Sequence, residues 1–244
     1  MGGARLSRAV AVLRPLDAAL GSAALLQAMG YRPIIAPVTQ IVATGARQPG
    51  EGFDAVLATS ARAFAFLSGE SCARLAAAPL FAVGEETAAA ARARGLAGRG
   101  AIASNAPSLT PMLLAQFSSG ARLLYLAAQD RKSGIETALA AAGIEVRTVE
   151  IYRAEARSGW SGQEAHDIRQ CAVALHYSRR GAALAIEFAA RAGCAEPFRA
   201  LTHVCISTDV AGPLRRAGAG AIAAANQPNE AALFVALQAA MPRA

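Results

Sequence analysis

Apolar runs of strand length alternate with helix-like patterns along the whole chain. Residues 16–30 have the spacing of a helix and end at Gly30, the residue type that most often closes a helix. Continuous apolar runs are typical of strands buried on both faces of a parallel sheet, and they occur at 8–14, 31–37, 53–59, 79–84, 100–104, 122–128, 145–154, 171–177, 202–207 and 221–225. The alternation predicts an α/β fold with helices on both faces of parallel sheets.

The same order of elements occurs twice along the chain. A longer unit over 53–117 contains a strand, a serine, a helix, a second strand with its turn and helix, and a third strand, and it returns over 171–238. Its first landmark is Ser60, which is matched 118 residues later by Ser178. A shorter strand–helix–glycine–strand unit over 8–38 returns over 122–152. Any two α/β segments resemble each other in a general way, but a repeat is the better explanation, because four landmarks recur in the same order.

The repeated units supply about five strands for each of two small doubly wound sheets. Two pairings are open from the pattern alone: tandem domains, or an inserted domain over 50–153 with the chain ends, 1–38 and 168–244, closing the other domain. In the second pairing the chain crosses between domains at 39–49 and 154–167. Both segments are polar and rich in glycine, and both begin with a strand-like run, so they could pair as a two-stranded connector.

The chain carries a net charge of +7, from 24 basic and 17 acidic residues. This charge attracts anionic partners, although free use of arginine by a GC-rich genome produces the same balance. A Schiff-base mechanism would rest on Lys132 alone, since it is the only lysine. Aromatic residues make up only 5% of the chain and do not interleave with basic residues, which argues against a stacking nucleic-acid binder.

Cysteine and histidine spacing gives no sign of a metal or redox site. No two cysteines form a C-x-x-C pair, and the histidines form no H-x-x-x-H or H-E-x-x-H pattern. Dinucleotide-binding, phosphate-loop and nucleophile-elbow motifs are missing as well. The sequence contains neither a signal peptide nor a membrane span of sufficient length, so we expect a soluble cytoplasmic protein.

Hydroxyl residues and a glycine follow the buried strands, where ligands of doubly wound sheets bind. Ser60 and Ser178 each come between a strand and a helix, and Gly84 and Thr87 form a similar turn after another strand. The plain interpretation is helix capping. The functional one is binding of carboxylate or phosphate by exposed helix amides. Several such turns would suit a large ligand with many negative charges.

Three further residues are candidates for chemistry. Arg131 and Lys132 follow another strand, as cations for an anion or as an ordinary charged loop. Tyr152 lies at the end of a strand near the second crossing, where it either donates a proton or hydrogen bond to a ligand or packs as a strand-end aromatic.

The whole chain resembles the uroporphyrinogen-III synthase family of tetrapyrrole biosynthesis, which serves haem, chlorophyll and cobalamin. The likeness lies in the order of its stretches, namely AVLRPLDAALGSAALLQAMGYRPIIAPVTQI, FDAVLATSARAFAFL, PLFAVGEETAAAARARG, EVRTVEIYRAEA, ALHYSRRGAALAIEF and PNEAALFVAL. It implies two flavodoxin-like domains, the second inserted in the first, joined by a two-stranded connector. It also implies a monomeric lyase that needs no cofactor or metal.

The resemblance implies cyclisation of hydroxymethylbilane, a linear tetrapyrrole rich in carboxylates, with loss of water and inversion of the last pyrrole ring. Tyr152 matches the family tyrosine that is proposed to help the hydroxyl group leave as water. The residues expected to bind substrate are Arg14, Thr59, Ser60, Gly84, Thr87, Arg131, Lys132, Ser178, Arg179, Ser207 and Thr208.

Two places depart from the family pattern. Ser207 stands where the second turn usually has glycine, and Val210 stands at the threonine position, so that Thr208 is the remaining hydroxyl candidate. His176 and Tyr177 replace an apolar–threonine pair. The competing interpretation is a non-catalytic two-lobed cytoplasmic protein that binds or senses a polyanionic small molecule. Tyr152 and the missing export signal argue against it.

Overall fold

The computed structural model describes residues 8–50, 52–131 and 134–241, in which strands and helices alternate. The strands are β1 Ala9–Val12, β2 Arg32–Ile35, β3 Thr39–Ala43, β4 Ala55–Ala58, β5 Pro79–Val83, β6 Gly98–Ala103, β7 Arg122–Ala128, β8 Glu145–Ala156, β9 Val173–His176, β10 Thr202–Cys205 and β11 Ala221–Ala224. The helices are α1 Leu16–Ala28, α2 Arg62–Ala65, α3 Gly69–Leu75, α4 Glu85–Ala93, α5 Ala106–Gln116, α6 Ile135–Ala141, α7 Gly162–Arg169, α8 Arg179–Arg191, α9 Ala195–Ala200, α10 Gly212–Arg216 and α11 Glu230–Ala240. The predicted α/β class and each predicted strand are confirmed.

The strands form two sheets. The first has the order β11-β10-β9-β1-β2, and the second has the order β3-β8-β7-β4-β5-β6. The central pairs are parallel: β1 with β9, and β4 with β7. Apart from β3, both sheets have the same spatial order, with β7-β8 of the second taking the place of β1-β2 in the first. The sequence repeat therefore corresponds to one doubly wound topology built twice, with a different starting strand each time.

The contacts divide the chain into two compact units. Unit 1 comprises residues 1–40 and 155–244, and unit 2 comprises 41–154. The chain leaves unit 1 within β3 and returns to it within β8. The sequence prediction assigned 39–49 and 154–167 to a connector, whereas this division gives 41–49 to unit 2 and 155–167 to unit 1.

Both faces of each sheet are buried, as the continuous apolar strands predicted. In β1, Ala9 and Ala11 face one core cluster while Val10 and Val12 face another. In β4, the same alternation divides its four residues between two clusters of unit 2. Helices cover both faces for that reason. None of the helices in the described ranges is long and apolar enough to cross a membrane.

The paired glycines Gly30 and Gly143 confirm the shorter repeat at backbone level. Gly30 follows α1 with φ of 81°, and Gly143 follows α6 with φ of 74°. A left-handed residue directs the chain from the end of a helix into the next strand, and glycine adopts that conformation without a steric penalty.

Candidate active site

In a doubly wound sheet, ligands bind beyond the carboxyl ends of the strands where the strand order reverses. That point lies between β1 and β9 in unit 1 and between β4 and β7 in unit 2. The residues after these strands are therefore the candidates in each unit.

The turn after β9 in unit 1 opens a full-length helix. Ser178 is the N-cap of the 13-residue α8, and its Oγ accepts a hydrogen bond from the Gly181 amide at 3.0 Å. Ser178 is exposed, so the positive end of the α8 dipole lies near the protein surface. Arg179 is also exposed and pairs with Asp209 at 3.1 Å. An exposed pair of this kind contributes little to stability and leaves the arginine able to exchange partners.

Arg14 lies just beyond β1 and is held from several sides. Its Nη1 donates to Glu230 Oε1 at 2.9 Å and to Ser22 Oγ at 3.1 Å. The guanidinium lies 4.2 Å from the centroid of the Tyr177 ring, a distance at which cation–π attraction is appreciable. Burial raises the pKa of Tyr177 to about 12, and the charge of Glu230 contributes to the rise.

The second turn of unit 1 differs from its counterpart in unit 2. After β10, Ser207 is half-buried and Thr208 is exposed, while Val210 packs into the core with 5% of its surface exposed. The helix that follows, α10, has only five residues. The valine at the family threonine position thus serves packing, and Thr208 is the hydroxyl on the surface of this turn.

The turn after β4 in unit 2 is held by a tyrosine. Thr59 Oγ1 and Tyr125 Oη are 3.0 Å apart and share a hydrogen bond. Burial raises the pKa of Tyr125, although the hydrogen bond to Thr59 opposes the shift. Ser60 Oγ accepts from the Arg62 amide at 3.3 Å, and the helix there, α2, spans only four residues. Sequence reasoning missed Tyr125, because nothing in an apolar strand marks a tyrosine as the partner of a turn.

Gly84 and Thr87 lie at the start of α4, the helix that follows β5 in unit 2. Gly84 precedes the nine-residue α4 with φ of 78°, a conformation that a side chain would strain. Thr87 is buried, with 4% of its surface exposed. Glu85 and Glu86 occupy the first turn and already complement the positive end of the helix dipole.

Arg131 forms ion pairs with two carboxylates. Its Nε donates to Glu136 Oε1 and its Nη1 to Glu150 Oε1, both at 2.8 Å. Nη1 also donates to the Ala128 carbonyl at 3.1 Å. The predicted neighbour Lys132 lies outside the described residues. Arg131 is therefore less free than Arg14 to receive a further anion, since its own carboxylates outnumber its charge.

Tyr152 lies on β8 and is buried, with 7% of its surface exposed. Its ring stacks on Phe66 with centroids 6.1 Å apart and planes inclined by 19°. Its carbonyl accepts from the Gln129 amide at 2.9 Å. Its hydroxyl makes no hydrogen bond to any residue that the structure describes. The phenol is thus held in place through its ring while its hydroxyl has capacity for a ligand.

The candidates form a separate group in each unit. In unit 2, Thr59 bonds to Tyr125, and Arg131 lies 5.8 Å from the centroid of the same ring. In unit 1, Arg14 lies over Tyr177 and contacts Glu230. Sequence reasoning noted Tyr177 only as a departure and missed Glu230. Over the described ranges, no three histidine, cysteine or acidic residues are arranged to hold a metal ion.

Comparisons with known proteins show the family and the fold of this chain. A family model described as uroporphyrinogen-III synthase HemD matches residues 22–235. The uroporphyrinogen-III synthetase of Helicobacter pylori 26695 is 16% identical over 86% of this chain and 93% of its own, with a TM-score of 0.59, which shows a common fold. A mutant uroporphyrinogen III synthase of Thermus thermophilus is also 16% identical, over 96% and 98%, with a TM-score of 0.47. No curated protein matches the chain.

Proposed function

Because the chain belongs to the uroporphyrinogen-III synthase family, we propose that it cyclises hydroxymethylbilane to uroporphyrinogen III. The reaction closes the macrocycle, releases water and inverts the last pyrrole ring. The observation that carries the proposal is the family match along residues 22–235, nearly the whole chain. The enzyme acts on a small molecule and is a lyase of tetrapyrrole biosynthesis.

Substrate carboxylates are received at the carboxyl ends of the strands. The best-supported contacts are the open amides at the start of α8, next to Ser178, and the guanidinium of Arg14. Arg179, Gly84 and Thr87 contribute at the same edges. Supporting roles in binding are proposed for the remaining predicted residues, which are Thr59, Ser60, Arg131, Ser207, Thr208 and, outside the described residues, Lys132.

Tyr152 is the proton donor for the departing hydroxyl group. Its phenolic O–H is a hydrogen-bond donor that can give its proton to the leaving oxygen, which departs as water. The ring is fixed by stacking on Phe66, and the hydroxyl has no competing partner among the described residues. Most of the remaining catalysis is positional, because the linear substrate also closes without inversion on its own.

The proposed organisation follows the resemblance. Residues 1–38 and 168–244 form one domain, 50–153 form an inserted domain, and 39–49 with 154–167 connect them. The enzyme acts as a cytoplasmic monomer without cofactor, metal, nucleic acid or membrane as partner.

The proposal is tested by giving the purified protein freshly generated hydroxymethylbilane, oxidising the products and separating uroporphyrin isomers I and III by chromatography. We expect isomer III to replace the isomer I that forms without enzyme. Isomer I alone from folded protein would refute the function and favour a non-catalytic polyanion binder.

Replacing Tyr152 with phenylalanine isolates the proposed acid, because the stacked ring stays and only the hydroxyl is lost. We expect isomer III formation to fall by about 10²-fold, the lower end of what general acid catalysis contributes. Tyr31→Phe is the matched control, since Tyr31 is similarly buried in unit 1 with 8% of its surface exposed. Full activity of Tyr152→Phe would remove this residue from the chemistry.

A further inference from the structure

Arg14 uses only one corner of its guanidinium for contacts within the protein. Nη1 makes both hydrogen bonds, to Glu230 and to Ser22. Nε and Nη2 make none to the described residues, and the side chain is 26% exposed. The Nε–Nη2 edge is the one that a carboxylate can meet with two parallel hydrogen bonds.

Glu230 itself is held at a fixed place. It is the first residue of α11, whose N-cap Asn229 accepts from the Ala232 amide at 2.8 Å. Leu233 and Leu237 bury the helix against the sheet of unit 1. The Ser22 hydroxyl also donates to Glu230 Oε1, at 2.5 Å. One carboxylate oxygen therefore receives two donors, which lie 216 and 208 residues earlier in the chain.

The ring of Tyr177 limits Arg14 in the remaining direction. Because the guanidinium stacks over this ring at 4.2 Å and is tied at Nη1, it has little freedom to rotate. A flexible arginine would have to be ordered when substrate binds, and that ordering weakens binding. Here the ordering is already complete.

We propose that Glu230 is a positioning residue that sets the Nε–Nη2 edge of Arg14 to receive one substrate carboxylate. The proposal rests on the proposed function, because it takes hydroxymethylbilane as the ligand. Glu230 itself does not touch the substrate. Its role depends on its Oε1 atom being within hydrogen-bond distance of Nη1. Its charge is not what positions Arg14, because that charge on its own would repel an incoming carboxylate.

Two variants separate reach from charge. Glu230→Asp keeps the charge but shortens the side chain by one methylene group, so the oxygen no longer reaches Nη1. Glu230→Gln keeps the length and an acceptor oxygen but removes the charge. We expect KM for hydroxymethylbilane to rise about tenfold in Glu230→Asp, as for loss of one charge-assisted hydrogen bond. In Glu230→Gln, KM stays within about twofold of wild type. The kcat of both variants stays close to wild type.

Glu187→Asp is the matched control. Glu187 also pairs with an arginine of unit 1, Arg191 at 3.4 Å, but on the exposed surface of α8. Initial rates over a range of substrate concentrations, the ratio of isomers III and I, and circular-dichroism melting are measured for all four proteins. Both Glu230 variants keep a residue that is tolerated in a first helical turn, so we expect them to fold.

The outcomes are distinct. A raised KM in Glu230→Asp alone supports positioning. A lowered KM in Glu230→Gln with no change in Glu230→Asp means that the charge merely shields Arg14, and this overturns the inference. Unchanged KM in both variants, with or without altered melting, leaves Glu230 a purely structural role and also overturns it. Wild-type protein that yields isomer I alone would instead refute the proposed function.

Discussion

The turn after β9 in unit 1 and the turn after β4 in unit 2 come from the same sequence pattern but are built differently. Ser178 caps a helix of 13 residues, whereas Ser60 precedes a helix of only four. One strand further along, the relation is reversed. Gly84 opens the nine-residue α4 in unit 2, and the turn with Ser207 leads to the five-residue α10 in unit 1.

At these two pairs of equivalent turns, each unit therefore has one longer and one shorter helix, but the longer one follows a different strand in each unit. The shortness of α2 has a structural cause. Ser68 ends the helical stretch by capping α3, where its Oγ accepts from the Ser71 amide at 3.1 Å. Gln48 Oε1 accepts from the Ser68 amide at 3.0 Å and holds the break in place. Equivalent turns of the repeat therefore keep their hydroxyl residues, but the length of the helix that follows, and with it the helix dipole, differs.

The two units also reach a similar tyrosine–arginine pair by different routes. In unit 2 the tyrosine is Tyr125 on the flanking strand β7, and it holds Thr59. In unit 1 the tyrosine is Tyr177, directly after the central strand β9, and Arg14 lies over its ring. Tyr177 stands at the position that corresponds to Thr59, so the departure from the family pattern has a structural role of its own.

The largest expected difference between the two units is in their loss of stability at acid pH. All three histidines of the chain belong to unit 1. His176 Nε2 and His203 Nδ1 are 2.9 Å apart in the core, against the ring of Phe198. Burial lowers the pKa of His176 well below its usual range and that of His203 to about 4. Both are therefore neutral in the folded protein at neutral pH.

Unit 1 should lose stability as pH falls from about 6.5 towards 4, because the unfolded chain takes up protons that the folded core excludes. The expected loss is about 1.4 kcal/mol per pH unit for each histidine. Trp160, the only tryptophan, packs on Phe188 and Phe198 in unit 1, so its fluorescence during urea unfolding reports this unit.

The double variant His176→Gln/His203→Asn keeps amide groups near the two bonded nitrogens but cannot titrate. We expect it to flatten the pH dependence over this range, whatever its stability at pH 7. His166→Gln changes an exposed histidine and should leave the slope as in wild type. If the free energy of unfolding of the double variant still falls with decreasing pH as steeply as in wild type, other groups cause the acid sensitivity.

Next in size is the contrast between the two arginines. Arg14→Met should act mainly on KM, raising it about tenfold or more through loss of the proposed substrate contact, and its cost in stability should be the smaller of the two, because Glu230 keeps the Ser22 hydroxyl as a donor. Arg131→Met should instead lower the free energy of unfolding by about 1–3 kcal/mol, because it leaves Glu136 and Glu150 without their partner. Steady-state kinetics of both variants measure KM, and urea unfolding measures the free energy of unfolding. The same effect on KM in both variants would show that the two arginines do not differ in their role toward the substrate.

The smallest expected effect concerns the two serines. Ser178→Ala should cost about 1 kcal/mol of stability, since it removes a good N-cap from a long helix. Ser60→Ala should cost less than about 0.5 kcal/mol, because its bond to the Arg62 amide is long and α2 has a single turn. Calorimetry of the two variants and wild type makes the comparison. Equal losses would show that the two turns are equivalent after all.

Much of the fold was predictable because its signals are local. Apolar runs such as 171–177 become strands by burial on both faces, and Gly30 ends α1 through its own backbone freedom. The hydroxyl residues at strand ends could be named for the same reason. The length of α2 could not be predicted from the apolar pattern of 62–67, because its end depends on Gln48, which lies earlier in the chain.

By itself, the sequence determined the strands, their parallel pairing, the repeat and the hydroxyl-bearing turns, because periodicity and capping act within a few residues. Only the tertiary structure decided which charges neutralise each other. Glu230 reaches Arg14 from 216 residues away, and Glu150 reaches Arg131 from a neighbouring strand. Such partners are chosen by strand order and helix packing, which bring distant residues to one sheet edge. That choice leaves the Nε–Nη2 edge of Arg14 without a hydrogen bond to the described residues, whereas Arg131 is bonded to two carboxylates.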